Sequence, residues 1–499
     1  MTFFSASLVA AIVCGLLVLD NLQAFQFMFA RPFLAGTLAG IICGCPLEGA
    51  ALGIAFELVY SAELPLGDIV PPSGLAGAVS AALAVKAGML VPVAFFYGMV
   101  FDLAYSVADR RLRKFRSGWN IRASEEINSG RLNMNAWIAR SMAADFLAMF
   151  ILILAAGLIA SVICAYISIS GIFNASAEIA FSLIPIIGLS MLYFRFKNNL
   201  KLYNLSEMGG KTEKIPEIQQ KNSDFPVFNT YLRLFLVQSV WNYERMQNFG
   251  FLYALMPFLR QNYRKKKDFD EAVSRNFAKL NTNPMMGGIL AGAIASMEKD
   301  YSEGRLPLKR MIEIRNSLAT SAAAKGDGIF WVRLRSVSLQ AGLMAAILFG
   351  FNSWIFNTGI DSADTSISAI IAAALASVLL FAIPACVMRW KALKAGLAGN
   401  EENLFGLNFL DTERIKLKLD FAGFVFSIAL IINVFILFFA RTRQAGFTTS
   451  QTVLRFSLLL AMIAFGKYAA RGLSLRKTAL VLLGAALLFS ALGLPIYFF

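Results

Sequence analysis

The chain has 499 residues, of which 58% are hydrophobic and only 15% are charged. A soluble protein has about 25% charged residues, so this composition excludes an ordinary soluble enzyme and predicts an integral membrane protein. The net charge of +15 comes from Lys and Arg in short hydrophilic connections, which is typical of cytoplasmic loops. No nucleic-acid-binding module accompanies this charge, and we expect no nucleic-acid partner.

The sequence contains no histidine. This excludes acid–base catalysis by histidine and a phosphohistidine carrier on this chain. The five cysteines lie in apolar segments, and we interpret them as small buried side chains rather than disulfides or zinc ligands. We therefore expect no catalytic residue, cofactor or metal site in this polypeptide.

Apolar stretches along the chain predict a multi-pass protein in a lipid bilayer, because about 20 such residues cross a membrane. The long stretches are residues 146–177, 336–360, 366–388, 421–440 and 478–499. Shorter stretches, which predict spanning, re-entrant or broken helices, are residues 32–47, 69–85, 87–101, 179–194 and 453–466.

Glycines near the start of the chain recur every four residues, and this spacing predicts helices whose backbones pack closely. They are Gly36, Gly40 and Gly44, followed by Gly49 and Gly53. Two carboxylates, Glu48 and Glu57, interrupt the same apolar stretch. A carboxylate at membrane depth needs a wet cavity or a partner. We favour a functional role for Glu57 over a buried structural pair, and we assign none to Glu48.

Residues 198–226 are polar and charged and contain a Gly-Gly pair and two prolines. This composition predicts a cytoplasmic linker. It separates a membrane domain of residues 1–197 from a second membrane domain of residues 227–499.

The segment QSVWNYERMQNFG, residues 238–250, places amides, a carboxylate and a guanidinium between two apolar runs. If it is helical, Glu244 and Arg245 point apart and do not pair, and the polar side chains occupy two faces. One face carries Gln238, Asn242 and Arg245, and the other carries Trp241, Glu244 and Asn248. Such a segment lines a polar cavity or a protein surface. A cytoplasmic amphipathic helix is an equal alternative.

Two helical runs of the second half are predicted to break. The first begins with Asp268 as cap and Glu271 three residues later. It stops at residues 281–284, NTNP, because the residue before a proline avoids the α region. The second, residues 308–325, stops at the Gly-Asp-Gly of residues 326–328.

Broken helices expose backbone groups, which are tolerated at membrane depth only where they line a cavity. Transporters place substrate sites at such breaks. The polar side chains here are Asn281, Thr282 and Asn283 at one break and Asp327 at the other. Each has a structural alternative, since Asp and Asn also cap helices and form turns.

Four motifs follow one another in the second half: WNYERMQNFG, LNTNP, Met297-Glu298 after LAGAIAS, and Gly326-Asp327 with Trp331. In this order they resemble the D component of mannose-type enzyme II. That component is the sugar-translocating part of the bacterial phosphoenolpyruvate:sugar phosphotransferase system.

Residues 19–72 resemble the C component of the same class, through LDNLQAFQFMFARPFLAGTLAGIICG, GIAFELV and PLGDIVPP. The chain departs from that pattern at Cys45 and Ser73, where the family usually has Asp. Its first half also ends without the further apolar hairpin that the family normally has.

The resemblance implies an all-α polytopic membrane protein of the bacterial inner membrane, a fusion of IIC-like and IID-like parts. It implies broken and re-entrant helices, two related halves of opposite orientation, and a homotrimer. The implied function is translocation of a hexose or amino sugar, which soluble IIA and IIB proteins phosphorylate at the cytoplasmic face. A sugar facilitator or receptor uncoupled from phosphorylation is the alternative, motivated by Cys45, Ser73 and the shortened first half.

The implied sugar site draws on both halves, since carboxylates and amides suit sugar hydroxyls. Its expected residues are Gln26, Glu57, Asp68, Gln238, Asn242, Glu244, Asn281, Thr282 and Asp327.

Overall fold

The computed structural model of the chain describes residues 1–64, 69–203, 225–352, 367–400, 403–444 and 446–491. These residues form helices and their connections. They include isolated β-bridges at Asn242, Met246 and Leu280 but no β-strand. The predicted all-α fold is confirmed. The predicted site residue Asp68 and most of the predicted linker lie outside the described residues.

The first half consists of eight helices within its described residues. They are α1 (Phe3–Leu22), α2 (Pro32–Cys43), α3 (Pro46–Val59), α4 (Leu75–Ala87), α5 (Val91–Ser117), α6 (Trp119–Asn128), α7 (Met134–Tyr166) and α8 (Gly171–Leu202).

The second half begins with short helices and ends with long ones. They are α9 (Val227–Leu234), α10 (Asn248–Asn262), α11 (Lys266–Asn276), α12 (Gly287–Ser302), α13 (Leu308–Ile329), α14 (Arg335–Leu348), α15 (Ile367–Leu397), α16 (Thr412–Gln444), α17 (Thr449–Ala469) and α18 (Leu475–Ala491). A π-helical turn, Phe330–Leu334, joins α13 to α14.

Seven helices of the described chain are long and apolar enough to cross a membrane: α1, α5 with its extension α6, α7, α8, α15, α16 and α17. The protein is therefore a multi-pass membrane protein. The apolar stretch of residues 146–177 is divided between two helices, because α7 ends at Tyr166 and α8 begins at Gly171. Ser170 starts α8 by accepting a hydrogen bond from the backbone N–H of Phe173, 3.2 Å away, as N-cap serines do.

The close helix packing predicted from the glycine spacing is present between α2 and α3. A Cβ atom on Gly49 would overlap the carbonyl oxygen of Gly36 and lie 2.7 Å from the Cα of Gly40. A Cβ on Gly53 would overlap the carbonyl oxygen of Pro32. Only glycine allows two backbones to approach so closely, and the two helices form one rigid pair. Gly44 instead ends α2 with a φ of 81°.

The two halves pack against each other through shared hydrophobic clusters. Helix α8 of the first half packs against α16, α17 and α18 of the second half. One buried cluster contains Phe33, Leu58 and Leu189 together with Leu339 and Val378. Side chains from both halves therefore exclude solvent and lipid together.

The two basic clusters at residues 110–122 and 260–267 lie at the same end of the molecule. Helix α6, which follows the first cluster, packs against α11, which follows the second. Arg245 also donates a hydrogen bond to the Ser124 hydroxyl over 3.4 Å. Any membrane orientation therefore places both clusters on one side.

We expect Gly49→Ala to destabilise the protein by about 1–3 kcal/mol, because the added methyl overpacks a contact between two backbones. Thermal unfolding of the purified protein in detergent measures the effect. Gly484→Ala in α18 is the matched control, since no atom lies within 4 Å of its added Cβ. That control should be neutral or slightly stabilising. A Gly49→Ala protein that unfolds at the wild-type temperature contradicts the tight α2–α3 contact.

Candidate substrate cavity between the two halves

A cavity of about 140 Å³ opens between the two halves, where four loops and the π-helical turn meet. Its wall includes five of the predicted site residues, Gln26, Gln238, Asn281, Thr282 and Asp327. Further polar and aromatic side chains of the wall are Asp20, Arg31, Ser73, Tyr105, Ser106, Asp109, Arg113, Trp241, Trp331 and Arg335. The structure thus brings residues from both halves to one polar cavity.

The loop after α1 forms one wall, and Asp20 organises it. The Asp20 carboxylate accepts hydrogen bonds from the backbone N–H groups of Phe27, at 2.9 Å, and Phe29, at 2.8 Å. These bonds satisfy backbone donors that no helix satisfies, which irregular backbone at membrane depth requires. The same loop has φ angles of 64° at Phe25 and 53° at Gln26, an uncommon conformation for residues other than glycine. It places the Gln26 side chain in the cavity wall.

The helix considered for residues 238–250 is wrong up to Gln247, because α10 begins only at Asn248. The side chain of Asn242 instead forms hydrogen bonds with nearby backbone groups. Its oxygen accepts from the N–H of Arg245 at 2.9 Å, and its amide donates to the carbonyl of Val240 at 3.2 Å. Such local side-chain bonds compete with helix formation. The prediction that Glu244 and Arg245 do not pair is also wrong, since in this turn they form an ion pair of 3.4 Å.

The same loop holds the predicted break at residues 281–284 in place. The side-chain amide of Gln247 bonds to both backbone groups of Thr282. Its nitrogen donates to the Thr282 carbonyl at 2.7 Å, and its oxygen accepts from the Thr282 N–H at 2.9 Å. The break is longer than predicted, because α11 already ends at Asn276 and α12 begins at Gly287. Helix α11 begins at Lys266 without a side-chain cap, so the predicted cap at Asp268 is wrong.

The second predicted break, at residues 326–328, is wrong, because α13 continues to Ile329. Glycine at position 326 allows the helix to continue, because Asn283 packs directly against it. A Cβ atom added to Gly326 would lie 2.5 Å from the Cβ of Asn283. The irregularity follows one turn later as the π-helical turn. The Arg333 guanidinium donates to the carbonyl of Gly328 over 2.8 Å. A wide helical turn is thus present where a break was expected nearby.

Asp327 projects from α13 into the cavity wall and is half-buried. One of its carboxylate oxygens accepts a hydrogen bond of 2.8 Å from the Asn283 amide. The Asn283 oxygen in turn accepts from the N–H of Met285 at 3.0 Å. Asn283 therefore fixes the orientation of Asp327 across the two elements. Trp331, one turn further, stacks on Phe381 with ring centroids 5.8 Å apart.

Glu57 does not line the cavity but forms a buried ion pair with Arg31, which does. The Arg31 Nε lies 2.6 Å from the Glu57 carboxylate, and the two side chains are 0% and 2% exposed. The remaining Arg31 nitrogens donate to the second half: to the carbonyl of Ser377 at 2.8 Å, and to the carbonyl of Arg335 at 2.7 Å and the hydroxyl of Ser338 at 3.1 Å. Glu57 thus acts on the cavity through Arg31.

Two further predicted site residues, Asn242 and Glu244, lie outside the cavity wall. Both accept hydrogen bonds from the buried Asn120 amide of α6, at 2.9 and 3.1 Å. These contacts join the first half to the loop that carries Gln238 and Trp241. Their geometry gives Asn242 and Glu244 a supporting position.

Sequence reasoning did not assign Asp20, Arg31 or Gln247 to the site, and it named Asn283 only as one of the polar side chains at the first break. Asp20 and Arg31 stand in the quoted motif, and an Asp and an Arg flanking a loop at membrane depth were the available signal. The pairing of Gln247 with Thr282 spans 35 residues and has no local signal.

Comparisons with known proteins match two separate regions of the chain to family models. Residues 3–200 match the family model described as the PTS system sorbose-specific IIC component. Residues 223–350 match the model described as the PTS system mannose/fructose/sorbose family IID component. The resemblance inferred from the motifs is therefore confirmed: the chain carries regions that match the two membrane components of this phosphotransferase class.

Among characterised proteins, the chain is 30% identical over 151 residues to the mannose-specific EIID component of Escherichia coli O6:H1, a match that covers 29% of this chain and 52% of that protein. It is 29% identical over 148 residues to the sorbose-specific EIID component of Klebsiella pneumoniae, covering 28% and 53%. It is 28% identical over 127 residues to the fructose permease IID component of Bacillus subtilis, covering 25% and 46%. The chain spans about half the length of these relatives.

A solved structure of the mannose transporter ManYZ in complex with microcin E492 is 20% identical to this chain, with a TM-score of 0.30. That match covers 55% of this chain and 97% of the other.

We expect Glu57→Gln to lower the free energy of unfolding by about 3–5 kcal/mol, because it leaves Arg31 buried without its counter-charge. Chemical or thermal unfolding in detergent measures the loss. Glu48→Gln is the control, since Glu48 is half-buried in the first turn of the same helix. It interacts there mainly with the helix dipole, which contributes at most about 1 kcal/mol. Equal effects of the two substitutions contradict the structural importance of the Arg31–Glu57 pair.

Proposed function

We propose that this protein is the membrane unit of a mannose-type phosphotransferase system and moves a hexose or amino sugar across the bacterial inner membrane. The observation that carries the proposal is the cavity between the halves, to which both family-matched regions contribute. Its residue types suit a sugar. Carboxylates and amides bond to hydroxyl groups, and the aromatic faces of Trp241 and Trp331 suit the C–H surface of a pyranose.

The proposed sugar contacts come from both halves of the chain. Gln26 is on the first half, and Gln238, Asn281, Thr282 and Asp327 are on the second. Asp327 is the strongest acceptor of this set, because an ionised carboxylate bonds more strongly than a neutral group. Glu57, Asn242 and Glu244 hold the surrounding elements, and Asp68 remains a proposed contact.

The proposed partners are soluble IIA and IIB proteins that carry the phosphoryl group on histidine, since this chain has none. The shared basic end of the molecule, with the clusters at residues 110–122 and 260–267, suits a phosphorylated or acidic partner through electrostatic steering. We also propose a homotrimer, as the family resemblance implies, and domain boundaries at residues 197 and 227, as the polar composition of residues 198–226 indicates.

A sugar facilitator uncoupled from phosphorylation is the second candidate function, and Ser73 favours it. Ser73 lines the cavity, and its hydroxyl accepts the N–H of Leu75 over 3.3 Å. An Asp is usual at this place in the C component, so the cavity has one acidic group fewer. A carboxylate that could accept a hydrogen bond from a sugar hydroxyl would then be missing, which would weaken the coupling of transport to phosphorylation.

Uptake by membrane vesicles tests the proposed function. We expect vesicles with this protein to accumulate phosphorylated sugar from a labelled panel of mannose, fructose, sorbose, glucosamine and N-acetylglucosamine. Accumulation should require phosphoenolpyruvate and the soluble phosphotransfer proteins, and the chain itself should acquire no acid-labile phosphate. Equilibration of free sugar without these proteins supports the facilitator. No protein-dependent uptake of any sugar contradicts both functions.

We expect Asp327→Asn to weaken sugar binding about tenfold to a hundredfold, because a hydrogen bond to a charged group contributes about 1.5–3 kcal/mol. Equilibrium binding of the best sugar of the panel to purified protein measures the change. Asp300→Asn is the control, since Asp300 forms an exposed ion pair with Arg305 outside the cavity wall. Wild-type affinity of Asp327→Asn would show that this carboxylate is structural.

The proposed topology places the basic end in the cytoplasm. Single cysteines at Ser117 and Asp268, introduced into a cysteine-free protein, should resist a membrane-impermeant thiol reagent in intact cells and react after lysis. Reaction of either one from outside the cell reverses the proposed orientation.

A further inference from the structure

A fully buried arginine of the second half, Arg389 on α15, reaches the cavity loop of the first half. Its Nη2 donates to the backbone carbonyl of Phe25 at 2.6 Å and to the side-chain oxygen of Gln26 at 3.0 Å. The side chain is 0% exposed. Arg389 does not itself belong to the cavity wall.

This contact decides which way the Gln26 amide points. A guanidinium only donates hydrogen bonds, so the group it faces on Gln26 must be the oxygen and not the nitrogen. The Gln26 nitrogen therefore points away from Arg389. It is buried, and within the part of the chain that the structure describes it has no hydrogen-bond partner. Gln26 lines the cavity and is 3% exposed. Its amide N–H₂ is therefore an unpaired hydrogen-bond donor next to the cavity.

The position of Arg389 is itself fixed by aromatic rings. Its guanidinium lies 4.9 Å from the ring centre of Phe235 and 5.8 Å from that of Phe27, where cation–π attraction holds a positive charge. The backbone N–H of Phe25 also donates to the carbonyl of Phe235 over 2.7 Å. These contacts hold the loop in the left-handed conformation that places Gln26.

We propose that Arg389 is a positioning residue that orients the Gln26 amide, so that the site offers a hydrogen-bond donor and not an acceptor at this point. The inference rests on the proposed function and deepens it. The substrate must present an acceptor oxygen to Gln26, which can be a hydroxyl or the carbonyl of an acetamido group. A deoxy sugar that lacks this oxygen leaves the buried donor unpaired and binds more weakly.

The contact between the two side chains can be tested without any sugar, by a double-mutant cycle of thermal stability. Gln26→Glu should preserve or raise the unfolding temperature when Arg389 is present, because the new carboxylate pairs with the guanidinium. The same substitution should lower it in an Arg389→Met background, where the carboxylate has no partner. Gln340→Glu is the control for burying a carboxylate, since Gln340 is buried and its amide bonds to Ser427 at 2.7 Å. Equal effects of Gln26→Glu in both backgrounds overturn the proposal.

The positioning role is tested by equilibrium binding of the best sugar of the panel and its monodeoxy analogues. Wild-type protein should bind one monodeoxy analogue about tenfold more weakly than the parent. Gln26→Met, which keeps a similar volume but has no amide, should bind the parent about tenfold more weakly, because the donor is gone. Arg389→Met should also weaken binding and reduce the discrimination, and Arg389→Lys should largely restore both.

In a Gln26→Met background, Arg389→Met should cause no further loss of sugar affinity, because the group that it orients is gone. Independent, additive losses, or wild-type affinity of Gln26→Met, overturn the positioning role. If the stability cycle shows coupling but wild-type protein binds no sugar of the panel, it is the proposed function that fails, and the contact between Arg389 and Gln26 stands.

Discussion

The buried guanidinium of Arg31 is the constraint on which the rest of the structure depends. A positive charge removed from both water and lipid is stable only when a counter-charge and hydrogen-bond acceptors surround it. Helix α3 supplies the counter-charge through Glu57, and helices α14 and α15 supply the acceptors. The charge is therefore satisfied only when the two halves are docked in one arrangement. That arrangement also places Arg31 in the wall of the cavity.

Close backbone packing makes this docking rigid on each side. In the first half, α2 and α3 meet through glycines, so Arg31 at the start of α2 and Glu57 on α3 are held opposite each other. In the second half, α12 packs against α15 in the same way, with a Cβ on Gly288 2.5 Å from the carbonyl oxygen of Arg389. Each half thus presents its polar side chains from a helix pair whose geometry leaves little freedom.

The irregular loops around the cavity stabilise each other across the two halves. The side-chain oxygen of Gln23 accepts a hydrogen bond from the N–H of Val240 at 3.1 Å. The backbone carbonyl of Gln23 accepts one from the Ser239 hydroxyl at 2.9 Å. The Gln247 amide bonds to both backbone groups of Thr282. Each side-chain amide replaces the backbone partner that a helix would have provided. Non-helical backbone can therefore lie deep in a membrane protein and still have its polar groups satisfied.

The sequence was sufficient to predict the membrane class, the all-α fold, the glycine-packed helices and the break at residues 281–284, because each rests on a local pattern. It was misleading where a side-chain contact, local or distant, decides the backbone conformation. The helix considered for residues 238–247 does not form because the Asn242 side chain bonds to the backbone groups of Val240 and Arg245. The helix at Gly326 continues because Asn283 packs against it. The pairing of Arg31 with Glu57 was also beyond the sequence, since 26 residues and two helix starts separate them, and the roles of Gln247 and Arg389 depend on the docking of loops.

The central claim of this account is that one cavity, built by both halves, holds the sugar. The most direct test is a cryo-electron microscopy structure of the protein with the best-binding sugar of the panel. We expect density for the sugar in contact with Gln26 of the first half and with Asp327 and Trp331 of the second half, with Arg31 still bonded to both halves. Sugar density bounded by residues of one half only, or a cavity filled by side chains while the sugar lies elsewhere, would contradict it.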